Sequence, residues 1–299
     1  MAAEAAGREL VGGDGEAGIR LRLEEGLSCR GPTMAALGGA ARPHLSIVDA
    51  YGLLAGHRPP FPPSQPSLIA QVHSAAVAAD VKLTLMALYP DEHPVRLVHA
   101  AGTPDAVVED LPLHAIDHSA ATGLLTSLYV PPLGDNTAFE DFQELIAHLR
   151  APEGCPWDRE QTHQTLRTNL LEETYEVLNA LDADNADDMR EEFGDLLLQI
   201  VLHAQIAAEY GEFTMSDVIH GIHTKLVRRH PHVFGDVELN DANKVIQNWE
   251  SLKAQERAEN GETVKGLLDG INIAMPALAV AGGYQRRAAR VGFDWPDIE

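Results

Sequence analysis

Between Phe193 and Leu202, seven of ten positions hold large apolar residues: Phe193, Leu196, Leu197, Leu198, Ile200, Val201 and Leu202. Placed on a helix at about 100° per residue, they cover most of its circumference. The residues left over, Asp188, Glu192, Asp195, Gln199 and His203, recur every three or four positions and form one narrow polar stripe. A helix of this kind belongs in a core and is expected to be buried on nearly every side. Ionised carboxylates left unpaired there would be strongly destabilising or would take up protons, so the stripe demands partners.

A second acidic cluster supplies the other half of the pattern. Glu172, Glu173 and Glu176 precede Glu192 and Asp195, with fifteen residues between Glu176 and Glu192. Glu173/Glu176 and Glu192/Asp195 are i,i+3 pairs, so each pair projects from one helix face and could share one cation. The short turn from Asp182 to Asp187 makes the two helices antiparallel neighbours and can bring the four carboxylates together. On the first helix, Leu166, Leu170, Leu171, Tyr175, Val177, Leu178 and Leu181 mark the apolar arc. Glu173 falls inside the edge of that arc and Glu176 beside it, whereas Glu172 points into the polar arc. Acidic residues on helices are commonly solvated surface, and that reading competes here. The apolar surroundings tell against it. The two helices offer only Arg167 and Arg190 as organic counterions for four acids, so a divalent cation is the better partner. Carboxylate-only ligation favours a hard ion, Mg²⁺ or Mn²⁺.

Around these helices the chain divides by texture. Residues 1–31 are rich in Gly, Ala and Glu without a period and are expected to be disordered. Gly13, Gly15 and Gly18 satisfy G-x-G-x-x-G there, but no buried strand precedes them and the acidic context repels phosphate. From 32 to 132 short apolar runs (45–48, 67–72, 81–89, 95–100 and 115–117) alternate with Pro and Gly, which predicts a small α/β region. Thr137 to Glu140 reads as a capping box. The pattern is then helical, over about 138–150, 163–181, 186–209, 216–230 and 241–259, with Asn185, Ser216 and Asn240 or Asp241 as expected caps. The expected fold class is therefore α+β overall, with a partial α/β region (32–132), an all-α domain (137–260) and a helical C-terminal extension (261–299).

Lys225 and Arg229 are spaced i,i+4 at the end of the fourth of these helices, and Trp249 and Lys253 share that spacing in the fifth. Paired cations beside a carboxylate–metal cluster could clamp a polyphosphate. The same spacing also serves helix-end charge complementarity and ordinary salt bridges. Trp249, and Trp157 in the Gly-Cys-Pro-Trp-Asp loop at 154–158, could stack on a base or simply pack. His220, His223, His230 and His232 lack the Cys or H-E-x-x-H context of a zinc site. No phosphate loop, G-x-S-x-G elbow or Cys/His nucleophile is present, so covalent catalysis has no candidate. With a net charge of −23, nonspecific attraction to nucleic acid or anionic membrane is not expected. Two cysteines, Cys29 and Cys155, and no apolar run long enough for a membrane helix fit a cytoplasmic protein.

The E-E-x-x-E at Glu172, Glu173 and Glu176, the E-x-x-D at Glu192 and Asp195, and the stretches at 154–158, 225–234 and 248–253 resemble the MazG family of nucleoside triphosphate pyrophosphohydrolases, over about residues 139–294. The resemblance implies an all-α helical-bundle Mg²⁺ enzyme that cleaves NTP or dNTP to the monophosphate and pyrophosphate, usually as a homodimer or higher oligomer. It assigns Glu173, Glu176, Glu192 and Asp195 as metal ligands, and Lys225, Arg229, Trp249 and Lys253 to the substrate side. Glu172, pointing away from the ligand face, could orient water or act as general base, or be a solvated surface acid, and Trp157 is a further candidate for recognising the base. Residues 32–132 are similar to the later half of a tetrapyrrole methylase, without its methyl-donor motifs. The competing reading is a catalytically inactive nucleotide-binding or oligomerisation module left from a methylase–MazG fusion.

Overall fold

The computed structural model describes residues 44–237, 241–259, 261 and 266–293. The segment expected to be disordered, the glycine triplet, Cys29 and the candidate cap Asn240 lie outside the described residues. The chain is α+β, with an N-terminal five-stranded sheet followed by a helical region. It separates into two compact units that divide after Leu202.

In the first unit the strands are β1 (Ser46–Asp49), β2 (Ser67–Ala70), β3 (Pro94–His99), β4 (Val107–Pro112) and β5 (Thr126–Val130), in the spatial order β1-β2-β5-β3-β4. Only β1 and β2 run parallel; β2–β5, β5–β3 and β3–β4 pair antiparallel. The parallel pair is joined through α1 (Ala50–Leu54), whose first turn is capped by Asp49 accepting from Tyr51 N at 2.8 Å. Helix α2 (Ala75–Met86) starts at Ser74, whose Oγ accepts from Val77 N. Leu53, Ile69, Val81, Leu85, Leu97, Leu113, Ile116 and Leu128 join one apolar core between these helices, a 3₁₀ turn (Leu113–His118) and the sheet. Lys82 crosses from α2 to that turn, donating to Asp117 Oδ1 at 2.6 Å and to the His114 carbonyl at 3.2 Å.

The structure divides the short apolar runs, read together as strands alternating with short helices, between the two. The apolar run at 81–89 lies largely in helix α2, because its neighbours from Ala75 onward continue a helical turn behind a serine cap. The run at 115–117 belongs to the 3₁₀ turn. Strands β4 and β5 went unforeseen: β4, Val-Val-Glu-Asp-Leu-Pro, is an edge strand that leaves Val107, Val108 and Asp110 exposed and shows no clean alternation.

The helical part of this unit comprises α3 (Phe139–Arg150), α4 (Pro156–Glu160), α5 (Arg167–Asp182) and the start of α6 (Ala186–Glu209). The expected Thr137–Glu140 box is displaced by one residue: Ala138 is the N-cap, Asp141 accepts from its amide, and Thr137 instead donates to the Gly134 carbonyl. The 154–158 stretch folds back on the end of α3, with Cys155 N donating to Leu149 O at 2.8 Å. A Cβ on Gly154 would stand 2.3 Å from the His148 and Leu149 carbonyl oxygens, so no other residue fits. Helix α5 begins four residues later than expected. Thr162 and Thr165 exchange side chain-to-backbone hydrogen bonds, which satisfy the turn without a helix. Asn185 caps α6 as expected, its Oδ1 accepting from Asp187 N at 3.1 Å.

The second unit carries the rest of α6, then α7 (Met215–Arg229), α8 (Pro231–Phe234), α9 (Ala242–Glu259) and α10 (Ala277–Ala289). The cap of α7 is Thr214, not Ser216. Thr214 and Asp217 form a reciprocal box in which Thr214 N donates to Asp217 Oδ2 at 2.8 Å. Asp241 caps α9 by accepting from Asn243 N at 2.8 Å.

Candidate functional site

Helix α5 covers one stripe: Leu166 before its first turn, Val177 and Ala180 are buried, and Leu170 and Glu173 between them are half-buried. These positions recur at three and four residues, so Glu173 sits in mid-stripe on the covered face. Glu172 and Glu176 are exposed. Helix α6 does the same with its polar stripe. Glu192 and Asp195 are half-buried and Gln199 is buried, its Oε1 without a hydrogen-bond partner. The apolar side of that turn faces out: Phe193 is 49% exposed and Ile200 42%. Leu171, Tyr175 and Leu178 on α5 are exposed likewise. The expected burial of α6 on nearly every side is therefore wrong for its first half. A helical wheel reports which residues need cover, not whether the same chain supplies it.

The turn between the helices brings their acids together. Carboxylate oxygens of Glu173, Glu176 and Glu192 lie within 4.8 Å of one another. Burial raises the pKa of Glu173 above the ordinary glutamate value, and the charges of Asp195, Glu176 and Glu192 raise it further. Glu192 is raised by burial and by the charges of Glu176, Asp195, Glu191 and Asp188. Asp195 is thus close enough to act electrostatically, although it is not one of the three grouped carboxylates. Glu172 is not among them either.

This donor set fits a hard divalent ion. All three donors are carboxylate oxygens, and two oxygens on opposite sides of a Mg²⁺ ion stand about 4.2 Å apart, so small side-chain adjustments suffice. Like charges at this spacing resist full ionisation, and an added cation relieves that. The orphaned amide oxygen of Gln199, one turn beyond Asp195 on the same stripe, offers a further neutral acceptor there.

In the second unit, α7 and α9 pack against one another. Arg228 and Arg229 lie in the last turn of α7, where the helix dipole favours cations. Both engage Glu256. Arg229 donates through Nε at 3.1 and 3.2 Å and through Nη2 at 2.5 Å, and Arg228 Nη2 approaches at 2.7 Å. The Arg229 hydrogen bond holds the Glu256 carboxyl below the usual glutamate range, and Glu256 raises Arg229 in turn. Lys253 Nζ sits 3.8 Å from the centroid of the Trp249 ring, and the Arg229 guanidinium 5.9 Å from it. Lys225 is exposed. Trp157, on α4, is 57% exposed, and its carbonyl accepts from the Gln161 side chain.

The family model for the MazG nucleotide pyrophosphohydrolase domain matches residues 161–234. This segment is a MazG domain. It holds Glu172, Glu173, Glu176, Glu192, Asp195, Lys225 and Arg229, while Trp157, Trp249 and Lys253 fall outside the matched residues. The chain is 46% identical over 223 residues to the uncharacterized Bacillus subtilis protein YabN, a stretch covering 73% of this chain and 45% of that protein. It is 48% identical over 161 residues to the nucleoside triphosphate pyrophosphohydrolase/pyrophosphatase MazG of Thermotoga maritima, covering 54% of this chain and 60% of that one. It is 47% identical over 155 residues to the nucleoside triphosphate pyrophosphohydrolase of Escherichia coli strain K12, covering 52% and 58%. The chain thus spans about half the length of the curated relatives it matches.

Sequence reasoning missed Glu256. Its signal is Trp249, Lys253 and Glu256 at i, i+4 and i+7, which puts all three on one face of α9.

Proposed function

We propose that this chain is a divalent-metal-dependent nucleoside triphosphate pyrophosphohydrolase, converting an NTP or dNTP and water into the monophosphate and pyrophosphate. The observation that carries the reading is the grouping of Glu173, Glu176 and Glu192 at one place within a MazG domain. Relatives named for this activity are 47–48% identical over about half of the chain.

Glu173, Glu176, Glu192 and Asp195 would hold Mg²⁺ or Mn²⁺, which when bound neutralises phosphate charge and lowers the pKa of water. The water oxygen forms the new bond to the α-phosphorus while the bond to the oxygen bridging to the β-phosphate breaks. Glu172 is the side chain assigned to orient that water and accept its proton. Lys225, Arg229 and Lys253 supply N–H donors for the phosphate oxygens and for the charge developing on pyrophosphate. Trp249 and Trp157 offer ring faces to the base.

The exposed apolar stripes of α5 and α6 support a homodimer or higher homo-oligomer, in which a second copy of the chain covers them. No helix among the described residues is long and apolar enough to cross a membrane, and a cytoplasmic location suits a nucleotide hydrolase. Residues 32–132 are read as a tetrapyrrole-methylase-like region.

The test incubates the purified chain with each NTP and dNTP, with Mg²⁺ or with EDTA, and identifies the products by phosphorus NMR. Metal-dependent release of pyrophosphate supports the reading. Release of inorganic phosphate alone reassigns the scissile bond, and nucleotide binding without turnover favours the inactive binding module.

A further inference from the structure

Arg229 cannot act as a freely swinging phosphate clamp, because one edge of its guanidinium is already committed. An arginine carries five N–H donors. Here Nε–H and one Nη2–H are spent on Glu256, leaving both Nη1 hydrogens and the second Nη2 hydrogen for another acceptor. Glu256 is itself a buried residue, at 8% exposure. It comes from the face of α9 that also carries Lys253 and Trp249; Arg228 and Arg229 pair with it, while the Arg229 guanidinium and the Lys253 ammonium both lie near the indole.

The geometry points to Glu256 as the positioning residue of this cationic cluster: by holding the Nε/Nη2 edge of Arg229, it fixes where the remaining donors of that arginine are presented to a triphosphate. The inference rests on the pyrophosphohydrolase reading above. Two effects follow. A guanidinium already held loses less rotamer freedom when it meets phosphate, and a held donor keeps its aim as charge develops in the transition state. Glu256 also cancels one of the three positive charges of Arg228, Arg229 and Lys253, which limits attraction to the ground-state phosphates. Arg228 is a lesser partner, for its side chain is half exposed and makes one contact.

The balance predicts an unusual kinetic split. Glu256→Gln leaves Arg229 fully charged but loosely aimed, so kcat falls about tenfold while KM for the nucleotide stays level or drops. In an Arg229→Ala background the same substitution has no further effect on kcat. Arg229→Lys, which keeps the charge but cannot fork, reproduces the kcat loss and serves if Glu256→Gln does not fold. The proposal is overturned if Arg229→Lys or Glu256→Gln retains the parental kcat, or if the Glu256→Gln loss persists undiminished in the Arg229→Ala background, since Glu256 would then act through the fold alone.

A readout without nucleotide separates this proposal from the activity it rests on. In a chain with Trp157→Phe and Trp295→Phe only Trp249 emits, and releasing Arg229 from beside the indole should raise acrylamide quenching of that emission. Unchanged quenching in the Glu256→Gln form overturns the positioning role even where turnover is absent. A rise in quenching from a chain with no turnover upholds the positioning and leaves the hydrolase reading as the one that failed.

Discussion

Carboxylate oxygens of Glu173 on α5 and Glu192 on α6 lie within 4.8 Å of each other across the turn at Ala183–Asn185, and both groups hold their protons more tightly than an ordinary glutamate. The cause is the same for the two: partial burial, then repulsion from the neighbouring acids. A carboxyl whose folded-state pKa is raised contributes stability that is present while it is protonated and lost as pH rises through the raised value. The metal-free protein should therefore lose stability from this pair on going from about pH 4 to neutrality. Glu192→Gln removes one charge from the group. In EDTA its melting temperature should exceed the parent's at pH 8 and converge with it near pH 4. A constant difference across that range would remove the acidic group as the cause.

Divalent metal should reverse that penalty. Anything that binds only the folded state stabilises it in proportion to the logarithm of its saturation, about 2.7 kcal/mol at a hundredfold excess over the dissociation constant. Mg²⁺ or Mn²⁺ should raise the melting temperature of the parent at pH 8. The rise should largely disappear in Glu173→Gln, which removes a half-buried carboxylate from the grouped acids. Differential scanning fluorimetry across a metal titration measures this, and an equal shift in both proteins would exclude Glu173 as a ligand.

Lys253 is held over the Trp249 ring with its ammonium partly open. A charge-assisted hydrogen bond to a phosphate is worth about 1.5–3 kcal/mol. Lys253→Ala should thus weaken the specificity constant kcat/KM by roughly tenfold or more, with little change in melting temperature. Steady-state kinetics beside a thermal melt checks both halves of the statement.

The correction at the start of α7 is also measurable. Thr214, not Ser216, accepts from Asp217 N, and in return its own amide and hydroxyl donate to the Asp217 carboxylate, whose pKa that hydroxyl lowers. Loss of an N-cap costs about 1 kcal/mol. Thr214→Ala should lower stability to urea by about that amount, while Ser216→Ala should be nearly neutral.

The acidic group was legible because helical spacing alone selects residues for a face: Glu173 stood inside the apolar arc of its helix, and Glu192 and Asp195 formed a stripe on an otherwise apolar one. Helix extents followed from the same periodicity, and α6 was anticipated to the residue. What escaped was decided by partners distant in sequence. Glu256 lies on a helix rich in charge, and only the approach of Arg228 and Arg229 from α7 makes it buried and paired. Strand β5 takes its place between β2 and β3 through pairings of residues far apart in the chain, from His99 with Thr126 to Ser67 with Val130, which no local pattern encodes. Caps shifted by a residue or two, as at Ala138 and Thr214, because several polar residues near a helix start compete for the same orphan amides.

The outward stripes of α5 and α6 carry the last prediction. Leu171, Tyr175 and Leu178 on one helix and Phe193, Leu197 and Ile200 on the other repeat at i, i+4 and i+7, so each set is one continuous apolar edge. Isolated exposed leucines need no explanation, but two aligned stripes beside a charged group form the kind of patch that marks an interface. If a second copy covers them, the purified chain should elute as a dimer or larger in light scattering. Leu197→Glu, which places a charge in mid-stripe and touches none of the grouped acids, should shift it to monomer. Because each monomer would then expose this surface, the variant should also melt at a lower temperature, and its melting temperature should no longer depend on protein concentration. A parent that is monomeric at all concentrations, or a Leu197→Glu form that assembles like the parent, would show that these stripes serve another purpose.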